Sequence, residues 1–283
     1  MHVSLLRRLA FASCLALAST AVFAQAQPAK KAEKAEKAEE FKPYSGQAGK
    51  DVVWVPTSQA LVNKMLEMAK LTAGDIHYDL GSGDGRTVIT AAKRGAQAYG
   101  VEYNPNMVEL SRRNAQKEGV SAKAHFINGD IFETDFSKAT VITLFLLPEL
   151  NVKLRPKILD MKPGTRVVSN SFRMGEWEPD QTQNVNEKEG CSAYCTAYLW
   201  IVPAKVEGRW KLPDGELALK QNFQKVSGSL GANAISGGTL RADQITFTAG
   251  GTQYNAKVNG DTMTGTMSSG GNNKPFTATR VGS

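Results

Sequence analysis

Three glycines in five residues, Gly81, Gly83 and Gly85, follow a short apolar run and precede a helical pattern. This junction constrains the fold more than any other stretch of the chain. Ile76, His77, Tyr78 and Leu80 suit a parallel strand buried on both faces. The glycines remove three Cβ atoms, so the backbone can turn sharply and a ligand can approach the main chain closely. From Arg86 the pattern TVITAAKRG predicts a helix ended by Gly95. A second strand, Ala98 to Val101, then delivers Glu102 at its carboxyl end, where dinucleotide folds place the acid that meets ribose hydroxyls.

The loop is not a dinucleotide loop. GxGxxG is required there, whereas Gly81, Ser82, Gly83, Asp84 and Gly85 read GxGxG, and Asp79 and Asp84 bracket the turn. Two carboxylates would repel a pyrophosphate and suit a ligand with a cationic end. S-adenosylmethionine carries both a sulfonium and an ammonium group. The plain alternative is a glycine turn in an unrelated α/β protein.

DLGSGDG, followed by GVEYNPNMVELS and NGDIF, resembles the class I S-adenosylmethionine-dependent methyltransferases. VPTSQALVNKMLEMA before the loop and TLFLLPELNVKLRP after it are similar to the small lysine methyltransferases related to those that modify the mitochondrial ATP synthase c-subunit and the adenine nucleotide translocase. A fainter similarity, VPTS plus DLGSGDG, extends to the non-SET histone lysine methyltransferases. The resemblance covers roughly 51–204 and nothing outside it. It implies an α/β fold, a Rossmann-like seven-stranded sheet with helices on both faces, and S-adenosylmethionine as cofactor. It makes 44–57 a lid, with Val55, Pro56 and Thr57 near the methionine end. It gives the ribose hydroxyls to Glu102, the adenosine to Tyr103 or Asn104, the adenine amino group to Asp130, and the apolar wall beside the ring to Ile131.

On the residues alone, Thr57 or Ser58 caps a helix carrying Leu61, Met65, Leu66 and Met68. Further expected elements are a helix from Asn106 to Lys117 and strands at 123–127, 139–146, 165–172 and 197–202. After the fourth strand the chain reads Leu147-Pro148-Glu149-Leu150-Asn151, at the edge where ligands sit in open α/β sheets. No (N/D)PPY and no Pro-Cys nucleophile occurs there, which disfavours adenine-N6 and cytosine-C5 chemistry. Glu149 and Asn151 are candidates for orienting an acceptor amine, although Pro148 and Glu149 also fit a plain helix start. The leading acceptor is a protein lysine. Another amine, on a small molecule or phospholipid headgroup, is the runner-up, and a cofactor-binding module without turnover is a third reading.

At 283 residues and a net charge of +7 the chain can hold one α/β domain and a smaller module. No Lys/Arg cluster interleaved with aromatics marks a nucleic-acid stripe, so no nucleic-acid partner is expected. Residues 1–24 carry Arg7-Arg8, an apolar run and small residues, the plan of a signal peptide. A Lys/Ala/Glu-rich linker occupies 25–43, the methyltransferase-like domain 44–204, and an all-β domain 205–283. That last stretch shows short alternating segments with regular turn signals, a meander best closed as a small antiparallel barrel, and its Gly208-Arg209-Trp210 is similar to the GxW opening of lipocalin-like barrels. The N-terminus places the protein in a periplasm or cell envelope, with envelope or membrane association, whereas an unused signal would leave it cytoplasmic beside the cofactor supply. Cys191 and Cys195 then suit a disulfide; free thiols are the alternative, and C-x3-C without a second pair is a poor metal site, so no metal is expected.

Overall fold

The computed structural model describes residues 41–281. The signal-peptide segment and nearly all of the linker fall in 1–40, outside the described residues.

The glycine junction forms as the spacing requires: β1 (Ile76–Leu80), the loop, α2 (Arg86–Lys93), then β2 (Gln97–Glu102). Ahead of it lies α1 (Gln59–Met68); after it come α3 (Pro105–Lys117), β3 (Ala124–Asn128), β4 (Val141–Leu144), α4 (Pro148–Leu159), β5 (Arg166–Asn170), β6 (Gln181–Asn184) and β7 (Thr196–Ile201). These strands make one seven-stranded sheet in the order β3-β2-β1-β4-β5-β7-β6, with β7 and β6 antiparallel at one side. The order reverses between β1 and β4, so the strand ends there diverge and open a crevice.

Successive side chains of a strand face opposite ways, and the burial follows that period. Ile142 and Leu144 of β4 join Leu154 and Ile158 of α4, Phe136 and Trp200 on one face. Val141 joins Leu61 and Met65 of α1 on the other, where α2 and α3 also pack. Both faces are therefore covered, which is why β4 reads as a continuous apolar run broken only by Thr143. Ser58, not Thr57, caps α1 by accepting from the Leu61 N–H at 3.3 Å. Strand four is shorter than the expected 139–146, because Phe145 to Leu147 leave the sheet to line a cavity.

Beyond the sheet, β8 (Gly208–Leu212), β9 (Gly215–Asn222), β10 (Lys225–Leu230), β11 (Asn233–Arg241), β12 (Gln244–Ala249), β13 (Thr252–Asn259), β14 (Thr262–Ser269) and β15 (Asn272–Arg280) form an antiparallel meander. It closes into an eight-stranded barrel through β15 and β8. Closure satisfies both edge strands. The interior is filled by side chains including Trp210, Phe247, Ile245, Met263 and Leu217, all under 3% exposed. Trp210 Nε1 donates to Val206 O at 2.8 Å, and the Arg280 guanidinium lies over the indole at 4.3 Å. The barrel is joined to the sheet by Phe223, stacked on Trp177 at 5.8 Å, and by Gln224 Nε2 donating to Glu178 O at 2.8 Å.

Candidate active site

A cavity of about 410 Å³ opens over the carboxyl ends of the parallel strands. Its floor is the glycine loop. Gly81 N and Ser82 N both donate to Val101 O, at 2.9 and 3.0 Å, which ties the loop to β2. Gly83 has φ +53°, and a Cβ there would lie 2.5 Å from Trp54 Nε1. Gly85 serves another purpose. It does not line the cavity; a Cβ on it would meet the Phe126 ring at 2.8 Å and Ser111 Cβ at 2.9 Å, so this glycine lets α2 start against β3 and α3. Of the loop residues expected at the cofactor, Gly85 is the one the structure sets behind the cavity.

The two bracketing carboxylates also separate. Asp84 is ion-paired locally: its oxygens accept from the Arg86 Nε at 3.0 Å and Nη2 at 2.6 Å. Asp79 is buried in the cavity wall, with Oδ1 accepting from Thr143 Oγ1 at 2.6 Å. Burial pushes its carboxyl up to about 7, against hydrogen bonds from Thr143 and Thr87 that pull it down, while the charges of Asp84 and Glu102 add to the rise. Behind it His77 Nε2 lies 2.8 Å from Thr143 Oγ1, and complete burial drives that imidazole down to about 3, so it is neutral. With the threonine hydroxyl donating to Asp79, His77 holds its proton on Nε2.

On the β2 and β3 side, Glu102 accepts from Gly83 N at 3.0 Å and Asn104 N at 2.9 Å. Burial raises its carboxyl despite those bonds. Tyr103, Asn104, Asp130 and Ile131 line the same half of the cavity. Val55, Pro56 and Thr57 line it from the lid, a short hairpin in which Gly46 N donates to Trp54 O at 2.8 Å and Trp54 N to Gln47 O at 2.9 Å. The lid brings a residue that sequence reasoning missed: Lys50 pairs with Asp130 and sits 4.9 Å from the Tyr103 ring centroid. That bond holds the Asp130 carboxyl below its usual range.

The β4, β5 and β7 side is apolar, lined by Phe145, Leu147, Leu150, Phe172 and Tyr194. Neither Glu149 nor Asn151 lines the cavity. Pro148 and Glu149 begin α4, and Glu149 points to solvent. Asn151 is fully buried, and its Nδ2 donates to Phe172 O at 3.2 Å, Arg173 O at 3.3 Å and Ser169 Oγ at 3.3 Å. It steadies the turn bearing Phe172. The helical spacing of Asn151, Leu154 and Ile158 was the available signal that Asn151 belongs to the buried face.

The residues present fit S-adenosylmethionine. The loop leaves no room for a Cβ at Gly83, Ser82 Oγ is buried without a partner in the cavity wall, and Asp79 is a buried carboxylate whose missing counterion an ammonium group would supply. Among the described residues no cluster of His, Cys, Asp or Glu could hold a metal ion.

A family model described as the ANTKMT methyltransferase domain matches residues 79–181. A protein-lysine N-methyltransferase of Saccharolobus islandicus is 44% identical over 154 residues, covering 53% of this chain and 94% of that protein. The ATP synthase c-subunit lysine N-methyltransferase of Mus musculus is 32% identical over 176 residues, covering 62% of this chain and 68% of that protein. Among solved structures, an RNA methyltransferase from Salinibacter ruber in complex with S-adenosyl-L-homocysteine shares 46% identity, covers 54% of this chain and 96% of that one, and superposes with a TM-score of 0.50. The family model spans the glycine loop, Glu102, Asp130, Phe145 and Phe172, and the Saccharolobus relative is covered almost whole; the chain therefore belongs to the lysine N-methyltransferase family and is an S-adenosylmethionine-dependent N-methyltransferase.

Proposed function

We propose that the acceptor is a lysine amine on a protein. The observation that carries this reading is the asymmetry of the cavity: polar and acidic over β2 and β3, aliphatic and aromatic over β4, β5 and β7, where Phe145, Leu147, Leu150, Phe172 and Tyr194 line it. Relatives named as lysine methyltransferases support it. When bound, S-adenosylmethionine supplies a methyl group activated by its sulfonium. Asp79 takes the ammonium end, Glu102 the ribose hydroxyls, and Asp130 exchanges Lys50 for the adenine amino group.

A free lysine has a pKa of about 10.4, so exposing its lone pair at pH 7 costs roughly 4–5 kcal/mol. Between walls of Phe145, Leu147 and Phe172 the apolar half holds no carboxylate to retain the proton, and repulsion from the sulfonium of bound cofactor lowers the pKa of the amine. Its proton leaves to solvent. The same walls then hold the lone pair in line with the methyl group, and orientation supplies much of the remaining acceleration.

Incubating cell-envelope extract with radiolabelled S-adenosylmethionine and the purified protein should place the label in protein, recovered as methyl-lysine after acid hydrolysis. Label confined to lipid, to small molecules or to nucleic acid would overturn the lysine reading.

We further propose that the protein resides in a periplasm or cell envelope. The N-terminal pattern supports this, and so does the Cys191–Cys195 disulfide, since such bonds persist in oxidising compartments. Fractionation with N-terminal sequencing should recover a mature chain beginning near Gln25 outside the cytoplasm. An intact Met1 in the soluble cytoplasmic fraction refutes it.

A further inference from the structure

We propose that Tyr194, carried inside the ring closed by the Cys191–Cys195 disulfide, completes a three-ring aromatic wall that receives the alkylammonium arm of the acceptor and sets its affinity. The inference deepens the lysine reading and rests on it for the identity of the arm.

The three rings come from three places. Phe145 follows β4, Phe172 follows β5, and Tyr194 lies in the loop between β6 and β7. Their centroids form a closed triangle: 6.0 Å between Phe145 and Phe172, 5.2 Å between Phe145 and Tyr194, and 6.1 Å between Phe172 and Tyr194. All three line the cavity, and they do so on its apolar half. Aromatic faces carry negative quadrupole density, so such a wall attracts a cation while its edges pack the methylene stem.

Tyr194 is held there against local preference. It is 47% exposed and has φ +54°, a backbone region that bulky side chains rarely adopt. Exposure and strain in one aromatic need a compensating restraint. The disulfide provides it. Only Ser192, Ala193 and Tyr194 lie between the two cysteines, so the bond closes a ring around the tyrosine. One end of that ring is anchored: Cys191 is 2% exposed and packs with Leu61, Met65 and Val168. The other is fixed by Val185 N donating to Cys195 O at 2.9 Å. Phe172 is held in a comparable way, with Ser171 before it at φ +59° and Asn151 gripping its carbonyl. Tyr194 is thus an acceptor-binding residue; Cys191, Cys195 and Asn151 are positioning residues.

The test uses the full chain and compares acceptor kinetics with cofactor binding. Tyr194→Ala should raise KM for a lysine-bearing peptide about tenfold, the loss of one cation–π contact, while kcat and the Kd for S-adenosylhomocysteine stay within about twofold. Tyr194→Phe should restore the wild-type KM, because the ring face and not the hydroxyl makes the contact. Cys191→Ser with Cys195→Ser should raise KM by a similar factor with cofactor affinity intact, which also reports that the sheet remains folded. An unchanged KM in Tyr194→Ala overturns the wall, and an unchanged KM in the cysteine double variant overturns the clamp. Should the wild-type protein fail to methylate lysine, titration of the S-adenosylhomocysteine complex with Nε-trimethyl-lysine still decides. Binding lost in Tyr194→Ala upholds the wall while the lysine reading falls, and no binding to the wild type overturns both.

Discussion

Gly83→Arg is expected to abolish S-adenosylmethionine binding while leaving a folded protein. At φ +53° an L side chain is already strained, and its Cβ would lie 2.5 Å from Trp54 Nε1 and 3.7 Å from Met107 Cε. The backbone cannot yield, because Gly83 N donates to Glu102 Oε2 at 3.0 Å and its carbonyl accepts from Ser111 Oγ at 2.8 Å. The lid can move, since Trp54 belongs to a short surface hairpin, so the arginine would displace Trp54 and fill the cradle with a like charge for the sulfonium. Calorimetry should then show no saturable binding at cofactor concentrations about 100 times the wild-type Kd, a loss of at least about 2.8 kcal/mol. Gly85→Ala supplies the contrast. Its clash is with Phe126 and Ser111 behind the loop, so it should lower the unfolding midpoint and leave the Kd of the folded fraction unchanged. Undiminished binding in Gly83→Arg would remove the loop from the cofactor site.

The second large effect is on pH dependence. In the empty protein, burial holds the Asp79 carboxyl up at about 7, so near neutrality it is half protonated. A cationic ligand binds the ionised form. Cofactor affinity should therefore fall as pH drops from 7.5 to 5.5, approaching about tenfold per unit below the midpoint. His77 contributes nothing in this window, because its titration lies down at about 3. The stability effect runs the other way: a folded-state pKa raised above its unfolded value adds stability that is present at low pH and lost as pH rises through about 7. The empty protein should lose stability from this group between pH 5.5 and 7.5, and the cofactor-induced rise in unfolding midpoint should grow over the same interval. Asp79→Asn should weaken binding at pH 7.5 and flatten both profiles; a profile that keeps its slope in that variant would assign the titration to another group.

The cofactor half of the site was legible because it is nearly contiguous. Strand, loop, helix and second strand occupy 76–102, and each is specified by neighbours within a few residues: apolar runs, glycines, a helix pattern, an acid at a strand end. The lid and Asp130 were reached through resemblance and do line the cavity. Local reading failed where two identical residue types differ only in what stands behind them. Gly83 faces Trp54 and the cavity, Gly85 faces Phe126; Asp79 is buried beneath the site, Asp84 is claimed by Arg86 two positions on. Nothing in GxGxG distinguishes these partners. The plain reading of Pro148 and Glu149 as a helix start fits where the structure puts them.

Elements whose partners are close along the chain, the glycine loop with its flanking strands and helix and the alternating meander that closes as a barrel, follow from local sequence. Short-range periodicity and turn chemistry encode those directly. The apolar half of the cavity instead depends on contacts between residues distant along the chain. Phe145, Phe172 and Tyr194 are 27 and 22 residues apart along the chain, and of the three only Phe145 stands where the sequence leads a strand to the ligand edge. They meet because β4, β5 and β7 pair side by side, which brings their ends to one edge of the sheet, and because a disulfide closes the last loop over that edge. Strand pairing is a long-range choice, made by the burial of two sheet faces at once, so the wall it builds cannot be read from any single segment.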